Sequence, residues 1–148
     1  MDYLQRLIFL LSAKSKKSMI IYKHIVDELM SEYDVVIITD DQNNKYYRQG
    51  INVIIVKDLS LLCLENTFKD LSPFIMLACG WLGIIHKKIL DIPNNIYINF
   101  HSSYLPDYKG LSVFKHIWAN NEKYIGATSH YLTEKIDQGN IILTRCVK

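Results

Sequence analysis

Residues 98–110 read INFHSSYLPDYKG and residues 124–142, a helix length further on, read YIGATSHYLTEKIDQGNII. The first stretch ends an apolar, β-type run with Asn99 and His101 two positions apart. Residues i and i+2 of a strand project from the same face, so an amide and an imidazole are aimed at one small volume. The second stretch adds Asp137 in a turn closed by Gly139. Taken singly, an Asn or His at a strand end reads as a hydrogen-bonder for its own loop, and an Asp before a Gly as a turn former. Taken together, Asn99, His101 and Asp137 form a candidate acyl-transfer site.

Asn99, His101, Ser103, Leu105, Pro106 and Gly110, followed by Gly126, Thr128, His130, Asp137 and Gly139, resemble the paired signature of the formyltransferase fold. That family spans glycinamide ribonucleotide and sugar N-formyltransferases, the formyltetrahydrofolate deformylase catalytic domain and the methionyl-tRNA formyltransferase catalytic domain. Two elements in order and at the right separation are more specific than one, and weaker similarity runs upstream through ACGWLGII to the first strand. The resemblance implies an open, mostly parallel twisted α/β sheet flanked by helices, Rossmann-like, with Asn99, His101 and Asp137 as catalytic residues. It also implies N10-formyltetrahydrofolate as donor, met by Trp81, Leu82, Ile84 and Gly139, and a primary amine of a small molecule as acceptor.

The residue types suit that chemistry. When an amine attacks a formyl or acetyl carbon, negative charge grows on the carbonyl oxygen and a proton must leave the nitrogen. Asn99 can donate an uncharged hydrogen bond to the oxyanion, a contribution on the order of 3 kcal/mol if preorganised. His101, if protonated, adds a charged donor, and Asp137 can accept the amine proton directly or through a water. His130, on a predicted strand, reads equally as a supporting member of the site or as a core histidine with one satisfied ring nitrogen, and is left outside the catalytic set. Ser102 and Ser103 lack a nucleophile elbow.

The rest of the chain reads as strands alternating with helices. Arg6 to Ser12 is an apolar run suited to a strand buried on both faces. A helix follows, with Ser18 as its expected N-cap and apolar residues from Ile20 to Met30. Val35–Thr39 and Val53–Val56 are β-branched runs expected to be parallel strands. Leu61–Leu71 reads as a helix, Phe74–Ala78 as a strand closed by Gly80, Ile96–Phe100 as the strand that delivers Asn99 and His101, and Ile141–Arg145 as the last strand. His86, Lys87 and Lys88 read as a solvated helix face, and Trp81 and Trp118 as packing residues, Trp81 lying also where relatives place donor-pocket residues. The expected ligand crevice lies at the carboxyl ends of the strands.

The 148 residues, 49% hydrophobic, suffice for one compact domain, a short form or the catalytic piece of a longer chain. With a net charge of +2 and scattered basic residues, the chain lacks a basic face for nucleic acid. Cys63, Cys79 and Cys146 show neither paired nor metal-ligand spacing, so reduced, mostly buried thiols in a cytoplasmic protein are expected, with no metal. The LIFLL run is too short for a signal peptide, and no window approaches the roughly 20 apolar residues of a membrane span. A homodimer is an expectation carried from the resemblance alone.

Two departures from the family pattern bear on substrate. The loop after the first strand, SAKSKKS, has no glycine where glycinamide ribonucleotide formyltransferases hold a phosphate on backbone N–H groups. That favours another amine, such as a nucleotide-linked amino sugar, although Lys14, Lys16 and Lys17 offer charge for a phosphate. After Gly80 the run is WLGII, with Gly83 where folate-using relatives often carry an arginine. Acetyl transfer from acetyl-CoA on the same scaffold, hydrolysis of the formyl donor, and a non-catalytic ligand-binding remnant stand as alternatives.

Overall fold

A computed structural model describes residues 4–56 and 61–147, with the side chains of 61–63 and 147 outside the described set. The chain divides into two compact units, Met1–Tyr97 and Ile98–Lys148.

In the first unit, β1 (Arg6–Leu11), β2 (Asp34–Thr39), β3 (Asn52–Ile55) and β4 (Ile75–Ala78) pair in parallel in the order β3-β2-β1-β4. The connecting helices are α1 (Lys16–His24), α2 (Val26–Leu29) and α3 (Leu61–Leu71), and α4 (Lys87–Leu90) follows β4. β1 is central, and its apolar run has no polar alternation because both faces are covered: Leu7, Phe9 and Leu11 pack with Val35, Ile37 and Tyr46, while Ile8 and Leu10 are 0% exposed. Elsewhere in the unit Phe74 contacts Phe68 and Tyr97, each pair with ring centroids 5.6 Å apart.

Three expectations are corrected. Ser15, not Ser18, caps α1, accepting from the Ser18 N–H at 3.4 Å. The Ser18 hydroxyl is consumed inside the fold, where it accepts from Ser12 N at 3.0 Å and donates to the Cys79 carbonyl at 2.7 Å. The helix is also broken at Ile25, which joins α1 to α2. Trp118 does not pack: α5 (Val113–Ala119) buries Val113 and Ile117, and the next position turns outward, leaving Trp118 88% exposed. Cys79 is buried, which pushes its thiol pKa up to about 12, whereas Cys146 is exposed and the Cys63 side chain lies outside the described residues. His86 caps α4 by accepting from Lys88 N at 3.3 Å through Nδ1.

β5 (Ile96–His101) begins at the end of the first unit and carries the chain into the second. There β5, β6 (Ile125–Tyr131) and β7 (Ile141–Val147) form an antiparallel meander, with Asn99 opposite His130 and His101 opposite Thr128. A register shift at Ser129/His130 marks a bulge in the β6–β7 ladder. No helix among the described residues is long and apolar enough to cross a membrane.

Candidate active site

Asn99 and His101 do share a face of β5, and Asp137 joins them from the loop between β6 and β7. The Asp137 carboxylate is the hub. Its Oδ1 accepts from Asn99 Nδ2 at 3.2 Å and lies 3.4 Å from His130 Nε2. Its Oδ2 accepts from the Gly110 N–H at 2.8 Å and lies 3.3 Å from His101 Nδ1. The side chains are shielded, with His101 7%, Asp137 8% and His130 1% exposed.

Burial works against ionisation of Asp137. Hydrogen bonds from His130 and Gly110, with the charge that His101 and His130 can carry, outweigh it and hold the carboxyl below its usual range. His130 shifts the opposite way: the hydrogen bond to Asp137 raises its pKa against the opposing effect of burial, helped by the Tyr131 carbonyl.

Backbone geometry places the hub. Asp137 sits at φ +51°, in the left-handed region that Asp tolerates better than most side chains. The loop is closed at its base by Tyr131 N donating to Asn140 O at 3.0 Å. Two residues after the carboxylate, a Cβ on Gly139 would stand 1.7 Å from the Tyr131 carbonyl oxygen, so only glycine fits there.

The SSYLPDYKG loop is held by two of the motif residues, Thr128 and Ser103. Thr128 Oγ1 accepts from Leu105 N at 3.1 Å and donates to Ser103 O at 2.8 Å, fastening the loop to β6. Ser103 Oγ donates to Asp107 O at 2.7 Å. So held, the Tyr108 carbonyl accepts from His101 Nε2 at 2.8 Å and Gly110, at φ +82°, turns its N–H to Asp137. Both His101 nitrogens therefore face acceptors, an arrangement that an imidazolium satisfies with two N–H donors.

His130 is the residue that sequence reasoning left out. Its Nδ1 donates to the Tyr131 carbonyl at 2.9 Å and its Nε2 lies 3.1 Å from Asn99 Nδ2. The available signal was register: a histidine two residues beyond Thr128 on an antiparallel neighbour falls opposite Asn99. With one Nδ2 hydrogen on Asp137 and the other on His130, what the Asn99 amide has left is its oxygen, an acceptor.

The expected donor contacts are placed less tightly. Leu82 and Ile84, in the loop after β4, are 51% and 77% exposed, and the Trp81 indole N–H is buried with no acceptor among the described residues. The side chain at Gly83 is limited by that indole, since a Cβ there would lie 2.8 Å from Trp81 Nε1. In the glycine-free loop after β1, the Ala13 N–H donates to Asp40 Oδ1 at 2.5 Å, so the chain's own carboxylate takes it. A cavity of about 240 Å³ in the second unit borders Tyr104, Tyr108, Glu122 and Cys146 and none of the four clustered side chains. Among the described residues, no group of three His, Cys, Asp or Glu side chains is arranged to hold a metal ion.

The profile of the formyl transferase family matches residues 6–148. The methionyl-tRNA formyltransferase of Pseudothermotoga lettingae is 34% identical over 128 residues, covering 80% of this chain and 42% of its own length. The bifunctional polymyxin resistance protein ArnA of Wigglesworthia glossinidia brevipalpis is 33% identical over 104 residues, 70% of this chain and 16% of its own. This chain thus spans less than half the length of these curated relatives. Glycinamide ribonucleotide transformylase 1 from Symbiobacterium toebii shares the fold with a TM-score of 0.78 at 20% identity, over 99% of this chain and 74% of its own. The formyltetrahydrofolate deformylase of Pseudomonas syringae pv. tomato does so with a TM-score of 0.78 at 22% identity, over 99% and 52%. The open, mostly parallel sheet read from the sequence is the fold of these proteins.

Proposed function

The chain belongs to the formyl transferase family, and on that premise we propose that it transfers a formyl group from N10-formyltetrahydrofolate to a primary amine of a small molecule, with Asn99, His101 and Asp137 as its catalytic residues. The observation that carries this reading is the shielded Asp137 carboxylate shared by two imidazoles and an amide. No structural demand of a short loop explains a buried anion so surrounded by titratable donors.

The donor supplies an activated formyl carbon and an N10 leaving group, so a proton moves overall from the amine nitrogen to N10 as one C–N bond forms and the other breaks. The chain's residues manage the charges. Asp137, held below the usual carboxylate range, is a weak base whose stronger role is to fix the His101 ring through the contact at its Oδ2. His101, in its protonated form, brings positive charge beside the reacting carbonyl. Asn99, with both amide hydrogens spent, offers its oxygen to an N–H of the incoming amine and orients the attacking lone pair. This exchanges the oxyanion contact read from the sequence for an amine contact. For the donor, the unsatisfied Trp81 indole N–H and the exposed apolar side chains of Leu82 and Ile84 suit a ring system with carbonyl acceptors.

A nucleotide-linked amino sugar is preferred over glycinamide ribonucleotide because the loop after β1 has no glycine to bring backbone N–H groups onto that substrate's phosphate, and its Ala13 N–H is taken by Asp40. Methionyl-tRNA is the second reading, favoured by the names of several relatives. The test is formyl transfer by the purified protein from N10-formyltetrahydrofolate to amino-sugar nucleotides, glycinamide ribonucleotide and methionyl-tRNA, each with and without acceptor. Formylated product only with an amine supports the proposal. Formate release regardless of amine identifies a hydrolase, and product from acetyl-CoA alone replaces the donor.

A further inference from the structure

We propose that His130 is the positioning residue for Asn99, holding its amide when the imidazole is neutral and releasing it when the ring gains a proton at Nε2. The inference rests on the proposed use of this site and adds a control within it.

The argument is one of donors and acceptors. His130 Nδ1 is committed as a donor to the Tyr131 carbonyl at 2.9 Å, which leaves Nε2 as the variable atom. Two groups face it: Asn99 Nδ2 at 3.1 Å, always a donor, and Asp137 Oδ1 at 3.4 Å, always an acceptor while ionised. A neutral Nε2 can accept from Asn99 and cannot donate to Asp137. A protonated Nε2 can donate to Asp137 and meets Asn99 donor to donor. Turning the amide end for end does not rescue the contact. The Asn99 oxygen would then accept from His130 but would stand where Nδ2 now lies, 3.2 Å from Asp137 Oδ1, oxygen against carboxylate. No orientation of Asn99 satisfies both neighbours once His130 is charged.

The charged group facing His130 is Asp137, whose other oxygen faces His101, so the ring is flanked by one anion that is itself shared. That anion raises the pKa of His130, which brings the exchange toward neutral pH. β5 and the β6–β7 loop carry the two competing partners, and β6 carries the switch between them.

The experiment is nuclear magnetic resonance on the wild-type protein, following the His130 ring and the Asn99 side-chain amide from about pH 5 to about pH 9. The amide is assigned by its loss in Asn99→Asp. The expected result is that both signals titrate with one midpoint and that in His130→Gln, which keeps an acceptor near the Nε2 position without titrating, the Asn99 amide no longer moves. In turnover, kcat/KM falls about tenfold for each pH unit below that midpoint in wild type and stays flat in His130→Gln. An Asn99 amide that does not move while His130 titrates overturns the proposal, as does an amide titration unchanged in His130→Gln. The wild-type titration decides alone if His130→Gln does not fold. Coupled titration without formyl transfer refutes the proposed function and leaves this inference standing; formyl transfer with an uncoupled amide does the reverse.

Discussion

The Gly110 N–H donates to Asp137 Oδ2 at 2.8 Å, so the loop following β5 and the loop preceding β7 meet at the one carboxylate on which the site is centred. Asp137→Asn keeps the size of the side chain and removes the charge that holds His101 and His130. Turnover is expected to fall about a thousandfold with the circular dichroism spectrum unchanged. Steady-state kinetics on the folded variant check this, and wild-type turnover there removes Asp137 from the mechanism.

Stability has a defined pH shape. Asp137 is held below its ordinary pKa, so its contribution is present above the unfolded carboxylate range and is lost as pH falls through the lower folded value. His130 is held above its ordinary value, so its contribution is present below the unfolded histidine pKa and is lost as pH rises through the raised one. The melting temperature should peak between the carboxylate range and the histidine range. Asp137→Asn should flatten both flanks, as thermal melts across pH will show.

Two glycines part company. Gly139→Ala drives a Cβ to 1.7 Å from the Tyr131 carbonyl, which the loop can relieve only by opening. Gly110→Ala has nothing within 4 Å of its Cβ and costs only its φ of +82°, about 1 kcal/mol. Chemical denaturation of the pair is expected to show the larger loss at Gly139, and equal losses would contradict the steric account.

Thr128→Val keeps the shape of the side chain and leaves Leu105 N and Ser103 O without the hydroxyl that joins them. A loss of about 2 kcal/mol is expected, with most of it restored in Thr128→Ser. Because the same loop aims the Tyr108 carbonyl at His101, kcat should fall with stability in Thr128→Val, measured below its melting transition.

Donor binding is readable through tryptophan. Trp81 is partly buried and Trp118 88% exposed, so a Trp118→Phe protein reports Trp81 alone. A stable N10-formyltetrahydrofolate analogue should change its emission and raise the melting temperature, with about 2.7 kcal/mol of stabilisation at a hundredfold excess over Kd. A response to coenzyme A in place of the folate would instead assign an acetyl donor.

Much of this was legible in the sequence, for identifiable reasons. β1 announced itself because a strand covered on both faces needs no polar alternation, and α3 occupies the Leu61–Leu71 run, read as a helix that stops before Pro73. Asn99 and His101 were legible because a two-residue spacing fixes a shared face. Ser15 and Ser18 were not separable, since either serine can cap and only the distant Ser12 N–H and Cys79 carbonyl decide which one is spent. Trp118 was misread because hydrophobicity states a preference for burial and supplies no neighbour to bury it. His130 stayed undecided because its role depends on a strand pairing across 31 residues that no local pattern encodes.

Asn99 and Asp137, which bracket the reactive cluster, are 38 residues apart, and every group that holds it belongs to the Ile98–Lys148 unit. The cluster is thus assembled within one uninterrupted passage of sequence. The preceding residues can change without altering any of the described groups that touch the Asp137 carboxylate.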